Sequence, residues 1–236
     1  KFSVRNPLHE ILIQNLLADS FERIFTGHTA AGSLNFHRRI ATTYLNAATY
    51  PIHRTFFEAV SRSLGEKGLQ VPIYILKADG GTISMEASMH FPGQTIFSGP
   101  AASVMGSVAF APTDADAMVL DIGGTTTDIA IIRNRVPQLH PTGARIARYR
   151  TLIRSLETRS IGIGGDSVVR ITDGKIQIGP ERNGAAMAYG GPQPTPTDAL
   201  FVLGKNNGGD RQKAMRGFQT LASATGTDPD TVAWQV

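Results

Sequence analysis

Val119-Leu-Asp-Ile-Gly-Gly-Thr-Thr-Thr-Asp-Ile-Ala-Ile-Ile132 sets two apolar runs on either side of a loop with two glycines and three threonines. An acid stands at each end of the loop, Asp121 and Asp128. Short, branched apolar runs read as buried strands. Gly123 and Gly124 carry no Cβ, so their backbone N–H groups can approach an anion closely. Thr125, Thr126 and Thr127 add hydroxyl donors. A carboxylate leaving a strand end, as Asp121 does, can hold a hydrated Mg²⁺ beside phosphates. These parts describe a phosphate cradle built on a hairpin. It is distinct from the helix-based P-loop, because no GxxxxGK[ST] occurs in the chain. Gly162-Ile-Gly-Gly-Asp-Ser167 is a partial GxGxxG that ends in serine with no clear long helix behind it, so it does not make a dinucleotide-binding unit.

Outward from this hairpin the pattern is mixed. Gly99 to Ala111 is dominated by small residues and predicts a helix that lets another backbone approach closely. Val71 to Lys77 predicts a buried strand, followed by a turn at Asp79-Gly80-Gly81. Val168–Thr172 and Lys175–Gln177 flank Asp173-Gly174, a two-residue hairpin signal. Gly179 to Asp198 reads as loop, and Asp210 to Thr225 as an amphipathic helix. Toward the N-terminus, Asn6 and Pro7 open a helix whose apolar positions are Ile13, Leu16, Leu17 and Phe21, with Gly27 as its stop. A second helical stretch runs from about Phe36 to Lys67, with Phe56, Val60 and Leu64 on one face and Gly68 as its stop. Pro51 is expected to kink or split it. The expected organisation is a helical segment, 1–70, followed by an α/β portion, 71–236, that carries the hairpin 119–132. No solenoid repeat is present.

Composition narrows the chemistry. The 236 residues contain no cysteine, which excludes disulfides, zinc–thiolate sites and a thiol nucleophile. That suits a reducing cytosol. No apolar run approaches the roughly 18 residues of a membrane span, and no signal peptide is visible. The net charge of +4 is modest and no nucleic-acid motif occurs, so neither nucleic acid nor membrane is expected as a partner. Seven arginines lie between Arg133 and Arg159 with Glu157 as the one acid, either a solvated face or a surface for a partner or anion. The six histidines show no HExxH and no paired ligand spacing, which reads as structural. Ser98 and Ser103 have no visible His–Asp partners.

Asp121-Ile-Gly-Gly-Thr-Thr-Thr-Asp128 resembles the second phosphate loop of the actin-like ATPase superfamily, where a small-residue helix precedes that loop as Gly99–Ala111 does here. Within that superfamily the chain is similar to the hydantoinase/oxoprolinase family, in its A-type form. The matching pieces are Ser3-Val-Arg-Asn-Pro-Leu-His-Glu10, Asp79-Gly80-Gly81, Ser98-Gly-Pro-Ala-Ala102, the octapeptide itself, Ser160-Ile-Gly-Ile-Gly-Gly-Asp-Ser167 and Thr195-Pro-Thr-Asp-Ala199. They occur in the family's order and cover most of the chain.

The resemblance implies an α/β chain that is part of an actin-like ATPase (ribonuclease H-like) fold with an N-terminal helical portion. It implies ATP and Mg²⁺ as cofactors, a cytoplasmic location and a small cyclic amide, such as 5-oxoproline or a hydantoin, as substrate. ATP would phosphorylate a carbonyl or enolate oxygen to give an activated intermediate. By the same resemblance Asp121 positions Mg²⁺ or water, and Asp128 orients the loop or the metal's waters. Gly123, Gly124, Thr125, Thr126 and Thr127 meet the phosphates, with Gly164 and Gly165 as further nucleotide contacts. Asp79 and Asp198 are secondary candidates for substrate or metal contact. Each also reads as a plain structural acid, Asp79 in a turn and Asp198 as the cap of a short helix beginning at Ala199. The family has another DxGGT-type loop near its N-terminus and this chain has one in all, so half of the nucleotide cleft is expected, completed by an N-terminal lobe or a second subunit. Asp166 stands where members commonly have a third glycine; a carboxylate there binds a metal or repels a phosphate. Two other functions share the same nucleotide chemistry, the ATP-using subunit of a ketone carboxylase and a non-catalytic actin-like nucleotide-binding module.

Overall fold

The computed structural model describes residues 3–236. The chain forms two compact units, one built from residues up to Val119 with Ala130–Thr158, the other from Leu120–Ile129 with Arg159–Val236. This grouping differs from a division at residue 70, because helices ahead of that point pack on segments beyond it.

In the first unit, α1 (Leu8–Leu17) opens where Asn6 Oδ1 accepts the Leu8 N–H at 3.2 Å. It ends well before Gly27, which opens α2 (Gly27–Ala30) instead of stopping α1. Glu10 explains the turn back: its carboxylate accepts the His28 N–H and pairs with His28 Nδ1, each at 2.8 Å. Burial alone would raise the Glu10 carboxyl, but the polar groups around it, with the two hydrogen bonds from His28, outweigh it and hold the group below its ordinary value. No residue of α1 is buried, so the apolar stripe Ile13, Leu16 and Leu17 is uncovered among the described residues.

Helix α3 (Phe36–Glu66) is capped by Asn35, whose side chain accepts the Arg38 N–H. It continues as one helix through Pro51, so the expected split does not occur. Proline removes a single helix hydrogen bond at that point, and tertiary bonds flank it on both sides. Before the proline, Asn46 Oδ1 accepts the Gly93 N–H at 2.9 Å; after it, His53 Nε2 pairs with Ser88 Oγ at 2.8 Å. The buried face is polar, Arg39, Thr42, Asn46 and His53, while Phe56 of the expected apolar face is exposed.

Strands β1 (Tyr74–Leu76) and β2 (Thr82–Ser84) pair antiparallel, with Ile75 opposite Ile83. Only Ile75 of β1 is buried, so the strand expected over Val71–Lys77 is a short two-stranded ribbon. After α4 (Met85–Ser88), helix α5 (Ser98–Ser107) follows and passes into a 3-10 turn at Val108–Phe110. Its close contacts come from Ala101 and Val104, which pack with Ala130, Ile132 and Leu156. Gly99 and Gly106 face open space, contrary to the expected role of the small residues in close approach.

Strands β3 (Ala117–Ile122) and β4 (Thr127–Arg133) run from one unit into the other. β4 pairs with β3, with β5 (Val136–Pro137) and with β8 (Thr158–Ile161). Between them, β6 (Arg145–Ile146) and β7 (Tyr149–Arg150) form a small ribbon. β3 alternates half-buried and exposed positions, so Met118, Leu120 and Ile122 are exposed in place of the expected fully buried run. The seven arginines from Arg133 to Arg159 are all exposed.

The second unit carries the antiparallel hairpin β9 (Val169–Thr172) and β10 (Lys175–Ile178) and three helices, α6 (Pro196–Val202), α7 (Arg211–Thr225) and α8 (Pro229–Gln235). α7 presents Ala214, Gly217, Phe218, Leu221 and Ala222 at helical spacing. These pack with Phe201, Val202, Val232 and Val169 to make the core of this unit. Asp210 caps α7 by accepting the Gln212 and Lys213 N–H groups.

Candidate functional site

The loop between β3 and β4 lies wholly in the second unit. It closes on itself through a 2.9 Å bond from Gly123 N–H to Thr126 O. The glycine segment 162–167 then docks on its carbonyl side. Gly165 N–H donates to Gly123 O at 2.9 Å and Asp166 N–H to Gly124 O at 2.8 Å. Thr127, buried, donates its hydroxyl to Ile163 O at 2.7 Å. The segment is itself closed by Ser167, whose Oγ accepts the Gly164 N–H at 2.9 Å. Gly165 O in turn accepts the Thr197 N–H at 2.9 Å, tying it to the first turn of α6.

Gly164 is required at this junction by distance, because its nearest neighbours are backbone atoms. A Cβ on Gly164 would stand 2.6 Å from Gly123 O and 2.7 Å from Gly124 C and O. On Gly165 it would meet Thr197 Oγ1 at 2.7 Å, and on Gly124 it would meet Asp166 Oδ2 at 2.8 Å. Close packing tolerates none of these without displacement.

Docking leaves the loop with two unlike sides. The carbonyls of Gly123, Gly124 and Thr126 are engaged. The N–H groups of Gly124, Thr125 and Thr126 have no hydrogen-bond partner among the described residues, and all three residues are exposed. A run of outward N–H groups is an anion-binding concavity. Asp121 is half-buried near the end of β3, and Asp128, at the start of β4, accepts a short hydrogen bond from Ser160 Oγ. The donors gathered on this loop are carboxylate and hydroxyl oxygens, the hard set that Mg²⁺ accepts alongside phosphate and water. Among the described residues no three His, Cys, Asp or Glu side chains come together as a self-contained metal cage. Mg²⁺ held through one or two carboxylates needs none.

The other expected site residues are placed differently. Asp79 belongs to the first unit, where Lys77 Nζ stands 3.2 Å from one of its oxygens and the Gly81 N–H donates to the other at 3.1 Å. Asp198 is fully buried. It accepts from Met187 N–H at 2.9 Å, Ala188 N–H at 2.8 Å, and Thr195 N–H and Oγ1 at 3.0 Å each. Three of those bonds fall on Oδ2 and one on Oδ1, so the carboxylate is held inside the fold by its own unit, the arrangement of a helix-capping acid. It sits at the third position of α6 in a capping box with Thr195, and the helix begins at Pro196 instead of Ala199.

One residue at the loop is absent from the sequence-based set. Arg182, beyond β10, reaches Thr125 Oγ1 at 3.2 Å and Asp166 Oδ2 at 2.7 Å. Nothing in the local sequence around Arg182 marks it, because its partners lie far off along the chain.

Comparison with known proteins places the chain as a whole. The alpha subunit of the caprolactamase of Pseudomonas jessenii is 29% identical over 215 residues, covering 86% of this chain and 30% of that protein. The crystal structure of the ATP-dependent caprolactamase from the same organism matches at TM-score 0.73 and 25% identity, over 99% of this chain and 36% of the other. The gamma subunit of the acetophenone carboxylase of Aromatoleum aromaticum is 26% identical, covering 87% of this chain and 30% of that protein. The nucleotide-free structure of acetone carboxylase shares the fold at TM-score 0.76 and 24% identity, over 98% of this chain and 36% of that one. The chain thus spans about a third of the length of these relatives. Its mixed α/β structure is of the actin-like ATPase-related type, as the sequence implied. The family model described as hydantoinase/oxoprolinase matches residues 39–236, and the chain belongs to that family.

Proposed function

We propose that the loop Gly123–Thr126 holds the phosphates of ATP and that the whole protein uses ATP to open a cyclic amide of the 5-oxoproline, hydantoin or lactam type. The observation that carries this reading is the two-sided loop, with carbonyls engaged and the N–H groups of Gly124, Thr125 and Thr126 outward. The likeness to an ATP-dependent caprolactamase supports the substrate class.

In this reading the outward N–H groups and the Thr125 and Thr126 hydroxyls bind phosphate oxygens. They meet the charge that develops during transfer with donors already in place, which avoids reorganisation at the reacting step. Asp121 holds Mg²⁺, which when bound neutralises phosphate charge and fixes its orientation. Asp128, fixed by Ser160, keeps the exit of the loop in register. Gly164 and Gly165 act from behind, bracing the loop through its carbonyls, and Thr127 does so through Ile163. The γ-phosphoryl group passes from ATP to the amide oxygen and ADP is released; one water adds at the activated carbon, the ring C–N bond breaks with nitrogen taking up a proton to leave an acyl phosphate, and a second water hydrolyses that to carboxylate and phosphate. A further lobe or a second subunit completes the nucleotide cleft and supplies substrate contacts.

Calorimetric titration with Mg-ATP tests the site. Asp121→Ala should lower affinity at least about tenfold, the scale of a lost charged contact; an unchanged affinity removes Asp121 from the site. For the whole protein, ring opening and phosphate release should rise together when a cyclic amide is added, and phosphate release indifferent to the amide would sink the hydrolase reading. The likeness to two carboxylases supports a second reading, an ATP-using carboxylase subunit. It requires bicarbonate for turnover, and full turnover without bicarbonate excludes it.

A further inference from the structure

We infer that Arg182 is a phosphate-binding residue of the nucleotide site and that Asp166 positions it; this rests on the nucleotide reading of the loop given above. One guanidinium spans both glycine segments, donating from Nη1 to Thr125 Oγ1 at 3.2 Å and from Nη2 to Asp166 Oδ2 at 2.7 Å. Thr125 is the middle residue of the run whose N–H groups face outward. A guanidinium has five N–H donors in a fixed plane, so three remain beside that run. An anion seated on the N–H groups of Gly124, Thr125 and Thr126 therefore sits next to an unsaturated planar cation, the group best matched to phosphate oxygens.

The alternative role for the pair, holding the fold together, is weak. The Arg182 side chain is 46% exposed, and exposed ion pairs contribute only about 0–1 kcal/mol. The two segments are already joined by the backbone bonds from Gly165 and Asp166 and by the Thr127 hydroxyl. Asp166 is the more enclosed partner at 20% exposure, and it is packed against Gly124, where a Cβ would come within 2.8 Å of its Oδ2. It is therefore placed to fix the plane and reach of the guanidinium. Pairing also compensates a carboxylate that would otherwise repel phosphate. Asp166 thus takes a third role beside the two its sequence position suggests, metal ligand or phosphate repellent.

The test is equilibrium titration of the full chain and its Arg182→Ala, Arg182→Lys and Asp166→Asn variants with Mg-ATP, AMP and inorganic tripolyphosphate. Arg182→Ala should weaken Mg-ATP and tripolyphosphate by about tenfold or more, and AMP by less than about threefold, as expected for a lost charge-assisted contact to the phosphate chain. Arg182→Lys should recover part of the loss, because it restores the charge without the planar fork. Asp166→Asn should weaken binding less than Arg182→Ala, with the thermal midpoint of every variant close to that of the parent. Equal losses for Mg-ATP and AMP would mark a merely structural role and overturn the inference, as would an Arg182→Ala variant within twofold of the parent. A parent that binds neither Mg-ATP nor tripolyphosphate even in the whole protein, where the cleft is complete, refutes the nucleotide reading itself, and the role of Arg182 with it.

Discussion

Gly164→Ala is the sharpest test of how the two glycine segments lock. The added Cβ would stand 2.6 Å from Gly123 O and 2.7 Å from Gly124 C and O, all backbone atoms that cannot rotate away. The segments must part by roughly half an ångström or more to restore van der Waals separation. That displacement stretches the Gly165–Gly123 bond from 2.9 Å and the Asp166–Gly124 bond from 2.8 Å, past the usual N–H···O range. Each bond contributes about 0.5–1.5 kcal/mol, and overpacking costs about 1–3 kcal/mol. The expected destabilisation is about 2–6 kcal/mol, a large share of the roughly 5–15 kcal/mol that holds a typical protein. The assay is built in: Trp234, the single tryptophan, lies in the second unit, so its fluorescence during urea unfolding reports on that unit. Gly208→Ala serves as control in the same unit, because its Cβ would meet nothing closer than 3.6 Å; it should stay within about 0.5 kcal/mol of the parent. Mg-ATP affinity should fall in Gly164→Ala and hold in the control. If Gly164→Ala unfolds at the same urea concentration as the control, the steric account of the junction is wrong.

Asp198→Ala should destabilise the second unit by about 3–5 kcal/mol, because buried N–H groups of Met187, Ala188 and Thr195 lose their acceptor together. Asp198→Asn, which retains one acceptor oxygen, should fall between it and the parent by the same Trp234 readout, and a parent-like Asp198→Ala would contradict a structural role for these bonds. Burial holds His53 below its ordinary value, so folding favours its neutral form. The sign follows from linkage: the unfolded chain takes the proton first, at about pH 6.5, and the His53 contribution is complete above that pH and fades as pH falls below it. Melting followed by circular dichroism at pH 7.5, 6 and 5 should show a steeper loss in the parent than in His53→Gln, and parallel losses would remove His53 as a cause. Glu10, also held low, acts in the same direction but only below its ordinary carboxylate range, so Glu10→Gln should flatten the stability profile near pH 4 and leave it unchanged in slope near pH 6.

Much of the site is legible in the sequence because its chemistry is local in the chain. Two glycines, three threonines and flanking acids within one octapeptide mark a tight loop between two strands whose N–H groups can approach an anion. The glycines of 162–167 stand out equally, although their reason, contact with the carbonyls of Gly123 and Gly124, appears only in three dimensions. Asp198 reads from sequence either as a helix cap or as a ligand contact, because a carboxylate in a Pro-Thr-Asp stretch looks alike in both roles; only the tertiary structure shows it buried with four hydrogen bonds inside its unit. Helix α3 runs through Pro51 because bonds from Asn46 and His53 on either side outweigh one missing helix bond.

The sequence by itself determined the elements whose causes repeat within a few residues: the hairpin around the glycine–threonine loop, the amphipathic period of α7, the Asp173-Gly174 turn and the family to which the chain belongs. Tertiary structure alone decided which faces are covered and which distant groups meet. It left the apolar stripe of α1 exposed and buried a polar face of α3 instead. It also carried Arg182 to Thr125, 57 positions away along the chain. The physical reason is that periodicity and turn chemistry act over a few residues, whereas burial and side-chain pairing depend on what the folded chain brings into contact, which no local pattern encodes.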